Sequence, residues 1–388
     1  MKRIWRWVAI LVLSAPLWAL FQVMKGTENT QLLAYVGTYT TKRDSQGIYA
    51  YRFDLARGEL DPAVLAAESV DPSYVTVHPS GKYVYAVNEV GDFGGENSGA
   101  VSAFAREPSS GALKLLNQVA TRGKGPCHLS IDKSGKYVLV ANYEGGSVAT
   151  FPRREDGSLG GIAGFVQHSG SSIDKRRQMA PHAHWIGVSP DNRFVLVSDL
   201  GLDEVLVYRL DAASGALAPN DPPFVKVRPG SGPRHFAFHP NGKFGYVVNE
   251  MGSTVTAFSY RADQGSLSEI QTISTLPTDY AGPKSAAELA VHPSGRLLYT
   301  SNRGHDSITA FSIDPQKGTL KVIGQFPTQG KTPRQFAIDP TGKFLLAANQ
   351  DSGTVVAFRI DLTTGRLTPT GHVQQAPAPT CISFAPRP

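Results

Sequence analysis

Cysteine is nearly absent from this 388-residue chain, which holds only Cys127 and Cys381. Two thiols exclude a disulfide scaffold and a thiolate metal cluster, both of which need larger sets at close spacing. Both fall at the start of inner strands of units that are not neighbours, so two free, buried thiols are expected rather than a bond. Charge is sparse as well. Charged residues make up 18% of the chain against 41% hydrophobic, which excludes a disordered polyelectrolyte and leaves ample material for a core. The formal charge is +6, but Lys and Arg are scattered, and the densest run, Lys175 to Arg177, reads as solvated surface. No basic stripe with interleaved aromatics marks a nucleic-acid face. No Gly-x-Ser-x-Gly elbow offers a serine nucleophile, and no glycine-rich loop leads into a helix to cradle phosphate. No cofactor is expected.

The first residues stand apart. Lys2, Arg3 and Arg6 precede an uncharged run from Trp7 to Met24, the pattern of an export signal or, at this length, an uncleaved membrane anchor. Residues 1–30 are therefore set aside from the fold, and residues 31–388 are expected in the periplasm or outside the cell, tethered to a membrane only through that segment if it stays uncleaved.

Beyond it the chain repeats. One segment recurs as YVTVHPSGKYVYAVNE from Tyr74, HLSIDKSGKYVLVANYE from His128, WIGVSPDNRFVLVSDLG from Trp185 and HFAFHPNGKFGYVVNE from His235. It returns from Leu289 and Gln335, and in truncated form as CISFAPRP from Cys381. Each copy is two β-branched apolar runs joined by a Pro-Ser-Gly-Lys type of turn, which is hairpin chemistry. A second element follows seven times, as in STVTAFSYRADQGSL from Ser253, and supplies a half-buried third strand and an outer fourth. Four strands in a unit of roughly 50 residues specify a propeller blade, because one small sheet cannot bury both faces until neighbours stack around an axis. The expectation is an all-β, seven-bladed β-propeller with four antiparallel strands per blade. CISFAPRP lacks a following partner and YVGTYT from Tyr35 lacks a preceding one, so one blade is closed by both termini.

Chemistry in such a fold belongs at a channel mouth, where innermost strands begin and second strands end. One residue before the repeated segment stand Cys127, His184, Arg234 and Arg334; at its first residue stand His128, His235 and, in the fifth copy, Glu288. Second strands end at Asn88 and Glu89, Asn142 to Glu144, Ser198 and Asp199, Asn249 and Glu250, and Asn302 and Arg303. A repeat that needed only packing would not gather arginines, histidines and carboxylates at equivalent mouth positions. Asn88, Asn142 and Asn349 read as caps of loop backbone, and His78, His239 and His292 as turn residues, since Asp132, Ser189 and Asp339 replace the histidines elsewhere. His182 and His184 in PHAH share the spacing of a metal pair, but no third ligand accompanies them, and no metal is expected.

YVGTYT with SQGIYAYRFD, PHAHWIGVSPDNRFVLVSDLGLDEVLVYRLD, GPRHFAFHPNGKFGYVVNE, SNRGHDSITAF and TPRQFAIDPTGKFLLAANQ together resemble the lactonase propeller family. That family includes propeller-type bacterial 6-phosphogluconolactonases and fungal carboxy-muconate lactonizing enzymes. The resemblance implies a lactone-handling site built from His184, Arg234, Glu250 and Arg303, the same four that the mouth positions single out. Three functions stay open. A metal-independent lactonase would use Glu250 or His184 as general base, with Arg234 and Arg303 binding an anionic lactone or sugar acid. His182, His128, His235, Asp199, Glu288 and Arg334 are the expected substrate contacts. A lactonizing isomerase would run related chemistry in the other direction, and a non-catalytic binding propeller would use the same mouth without turnover. A monomer is expected.

Overall fold

A computed structural model describes residues 31–41 and 44–386. The export signal or anchor expected over residues 1–30 lies outside them. The described residues contain strands and turns and no helix, arranged as seven sheets around one axis. Blades II to VII each have four antiparallel strands in sequence order from the axis outward. Blade V is representative, with Pro233–Phe238 innermost, then Phe244–Asn249, Thr254–Arg261 and Ser266–Ser274.

Blade I is the closure. Its innermost strand, Pro379–Phe384, comes from the C-terminal end and pairs with Gln31–Thr38, so that Val36 faces Ile382 and Gly37 faces Cys381. Its outer strand is split into Glu59–Leu60 and Val64–Glu68, both paired with Gly47–Asp54. Closing the ring with strands from both ends makes the last blade depend on the first, which suppresses fraying at the seam.

The apolar core lies between blades. Phe53 and Tyr51 of blade I pack with Phe344, Leu346 and Val355 of blade VII, and Tyr85 of blade II with Val140 and Phe151 of blade III. Polar ties cross the same boundaries. A second-strand tyrosine donates to a glycine carbonyl in the outer turn of the next blade: Tyr85 to Gly157, Tyr246 to Gly318 and Tyr299 to Gly365. His78, His239 and His292 place Nε2 within 3.1 Å of the carbonyls of Gly135, Gly295 and Gly342 in the following blade's hairpin turn, so they are structural ties. Those turns need a left-handed residue, glycine in most copies and Asn192 (φ 62°) in blade IV, where the amide side chain tolerates it.

Candidate active site

Bulges shape the mouth. In six innermost strands the pairing with the second strand slips by one residue at the start, leaving Cys127, His184, Arg234, Arg334 and Thr380 as extra residues, and Ala287 with Glu288 opposite Ser301 alone. Strict alternation would send consecutive side chains to opposite faces, and a bulge re-aims them. Arg234 and His235 consequently both point toward the axis: one bonds Glu250, and the other's ring lies 5.3 Å from that of His184.

A cavity of about 310 Å³ opens there, with His184, Glu250, Arg303 and Arg334 in its wall. Glu250 is the hub. Its Oε2 accepts from Arg234 Nε at 3.1 Å and lies 2.8 Å from Arg303 Nη2, while its Oε1 accepts from Arg177 Nη2 at 2.9 Å. Strand backbone anchors two of these arginines: Arg234 Nη1 donates to the Ala287 carbonyl at 2.7 Å, and Arg303 donates to Ser285 Oγ and the Ala286 carbonyl. Arg177 Nη2 also donates to the Tyr143 hydroxyl at 2.9 Å. On the far wall Tyr39 donates to Glu89 and lies beneath the Arg334 guanidinium, 5.2 Å from ring centre to Cζ. Four guanidinium groups, those of Arg177, Arg234, Arg303 and Arg334, face two carboxylates, those of Glu89 and Glu250. Four against two leaves a net positive site, suited to an anion.

Electrostatics separate the titratable groups. Burial alone would raise the Glu250 carboxyl, but Arg303, Arg234 and Arg177 outweigh it and hold the group at about 2, so it is ionised at neutral pH. Burial, then Arg234, His235 and Arg334, push the His184 imidazole well below its ordinary 6.5, which keeps it neutral. Its Nδ1 lies 3.7 Å from Cys127 Sγ. Cys127 and Cys381 are both free and buried, and burial raises both thiols. Arg234 is lowered to about 10 by burial, Arg303 and Arg334, and stays charged.

The remaining expected contacts fall elsewhere. His128 and His235 do not line the cavity; their rings pack 5.2 Å apart with Tyr74 where blades II, III and V converge, and plug the channel. Beside them Glu288 Oε1 lies 2.9 Å from His235 Nδ1 and accepts from the Leu289 N–H. His182 stacks on Tyr143 with Nδ1 2.9 Å from that residue's carbonyl, outside the cavity wall. Asp199 is fully buried and does not reach the cavity: Oδ1 takes the N–H groups of His182, Gly201 and Leu202, and Oδ2 lies 2.7 Å from His168 Nδ1. It fixes the entry of the strand that carries His184. Arg234, expected to touch substrate, sits behind the wall, where it is bonded to Glu250. His182 and His184 flank Tyr143 rather than converge, and among the described residues no three His, Cys, Asp or Glu side chains are grouped to hold a metal ion.

Arg177 corrects the reading of its basic run as solvated surface. Lys175 and Arg176 are exposed, but the Arg177 guanidinium turns into the mouth. It comes from the connection between blades III and IV, outside the repeat, where no equivalent position flags it. The usable signal was length: fifteen residues separate the Gly164–Gln167 strand from the Ala183–Val188 strand, against six between the corresponding strands of blades IV and V, and overlong loops are commonly functional.

A propeller with a net positive, carboxylate-centred pocket at one mouth has the form of an enzyme acting on a small anionic or polarised substrate. The family model for the seven-bladed β-propeller lactonases matches residues 33–384, and the chain belongs to that family. The 6-phosphogluconolactonase of Bacillus subtilis strain 168 is 37% identical over 355 residues, 92% of this chain and 99% of that protein. The 6-phosphogluconolactonase of Formosa agariphila is 37% identical over 304 residues, 77% of this chain and 84% of that one. The solved periplasmic gluconolactonase of Pseudomonas aeruginosa aligns with a TM-score of 0.86 at 35% identity, covering 92% of this chain and all of that one. The chain is accordingly a lactonase, a hydrolase of cyclic carboxylic esters.

Proposed function

We propose that the enzyme opens a sugar-derived lactone by adding water at this mouth, with Glu250 as general base, and that it works in the periplasm. The observation that carries the reading is the ionised Glu250 carboxylate held among three guanidinium groups at a small cavity. The names of the relatives, 6-phosphogluconolactonase and periplasmic gluconolactonase, support the substrate class, and the basic, then apolar N-terminus supports the compartment.

Glu250 suits the base role better than His184 because burial acts on them in opposite directions. A bound lactone excludes further water, which lowers an already depressed imidazole and raises a carboxylate. The lactone's own dipoles and charges also occupy the arginines that suppress Glu250. Glu250 takes a proton from water as the water oxygen bonds to the lactone carbonyl carbon. The carbonyl oxygen becomes an oxyanion beside Arg303, whose charge stabilises it. The ring C–O bond then breaks, and the departing oxygen takes the proton back from Glu250 to give the hydroxy acid. His184 orients the water, and Arg234 keeps Oε2 of Glu250 in place. The test is acid release by the purified protein, lacking its first ~30 residues as a targeting segment, from a panel of sugar lactones. Release from a gluconolactone is expected; no release from any lactone overturns the reading.

A further inference from the structure

We infer that Arg177 is the residue that reads an anionic substituent on the lactone, and that by leaving Glu250 for that substituent it releases Oε1 of Glu250 to act as the base. The inference deepens the proposed lactone hydrolysis and rests on it.

The two oxygens of Glu250 are held unequally. Oε2 is fixed by Arg234 and Arg303, which grow from strands and are tied to the carbonyls of Ala287 and Ala286. Oε1 has one arginine, Arg177, whose guanidinium, among the described residues, is bonded to two side chains, Glu250 and the Tyr143 hydroxyl. Its side chain is 44% exposed against 3% for Arg234 and 16% for Arg303. The backbone beneath it is built firmly. The N–H groups of Arg176 and Arg177 donate to Asp174 Oδ1, and the fully buried Gln178 donates to the Leu200 carbonyl. A long side chain on a fixed base at the rim can exchange one carboxylate for another anion without moving the loop. Its planar fork meets a phosphate or a carboxylate in two hydrogen bonds, which the single contact to Oε1 does not use. In the sugar lactones named for the relatives the far end of the sugar lies away from the reacting carbonyl, so a lactone with its carbonyl beside Arg303 leaves that end free to meet the more exposed Arg177.

The chemistry couples recognition to turnover. With an anionic lactone, Arg177 pairs with the substituent, and the freed Oε1 takes the proton from water as above. With a neutral lactone, Arg177 stays on Oε1 and suppresses the base. Removing Arg177 should therefore move the two substrate types in opposite directions.

The experiment measures kcat and KM for wild type, Arg177→Ala and Arg177→Gln with gluconolactone, 6-phosphogluconolactone and glucarolactone. The last two carry a phosphate and a carboxylate at the far end and separate the two anion sources. For whichever anionic lactone the wild type prefers, both variants should lose on the order of 10- to 100-fold in kcat/KM, the scale of a lost charged contact. For gluconolactone both variants should gain in kcat, several-fold or about tenfold. The glutamine variant keeps a polar side chain and removes the charge, so agreement between the variants assigns the effect to charge. A change of the same sign for neutral and anionic lactones, or no change in their ratio, overturns the inference while leaving the lactonase reading intact. Absence of lactone hydrolysis by the wild type instead overturns the reading on which it rests.

Discussion

Glu288 sits beside the plugged channel, buried against His235, and its ionisation should set a pH dependence of stability that Glu288→Gln removes. Burial raises its carboxyl from 4.5 to about 7, only partly opposed by the Leu289 N–H and by Arg234. The folded protein thus binds this proton more tightly than the unfolded chain. Stability from this group is fully present below about pH 4.5 and is lost as pH rises through about 7. The shift from 4.5 to about 7, at about 1.4 kcal/mol per unit, amounts to a loss on the order of 3 kcal/mol above pH ~8. His235 does not offset it by taking up a proton, because burial and Arg234 hold its imidazole well below 6.5. Glutamine keeps an oxygen for His235 Nδ1 and the Leu289 N–H while carrying no charge. Urea unfolding of wild type and Glu288→Gln at about pH 5 and about pH 8.5 reads the difference. The variant should gain on the wild type at the higher pH by up to on the order of 3 kcal/mol, with little difference at the lower. An equal effect at both pH values, or a wild type that becomes more stable on going alkaline through pH 7, would refute the reasoning.

Two further outcomes follow from the same geometry. His184→Ala should lower kcat on the order of 10- to 100-fold with a smaller change in KM, and because burial keeps His184, His128 and His235 neutral, the wild-type pH–rate profile should show no histidine inflection near 6.5; an inflection there that His184→Ala abolishes would count against its assignment. Tyr246→Phe should cost about 1–2 kcal/mol in denaturant unfolding, since it strands the Gly318 carbonyl in the next blade, and unchanged stability would mean that this tie contributes nothing.

The propeller was legible because every blade restates the same hairpin chemistry and the truncated ends complement each other. Register within the repeat also led to the mouth, and the structure brings His184, Glu250 and Arg303 to one cavity with Arg234 bonded behind them. Three things were hidden. The bulges that let Arg234 and His235 face the same way are set by pairing between strands, which residue types alone do not reveal. Asp199 shares its register with Asn249 and Asn302, and like them it serves backbone and neighbouring side chains, so an acidic residue at a mouth position became a tie rather than a contact. Arg177 reaches the site from a connection between blades, where periodicity carries no information; the length of that connection marks the loop, and its three-dimensional approach to Glu250 singles out the residue.

Glu250, ionised among its arginines, is proposed as the base for lactone opening. The most direct measurement is kcat for hydrolysis of the preferred sugar lactone by wild type and Glu250→Gln side by side, with unfolding midpoints recorded for both. Glu250→Gln should lose on the order of a hundredfold or more in kcat while remaining folded, because glutamine can still accept from the arginines but cannot take a proton from water. A folded Glu250→Gln protein that keeps turnover within about threefold of wild type, far short of a general-base contribution, would contradict it.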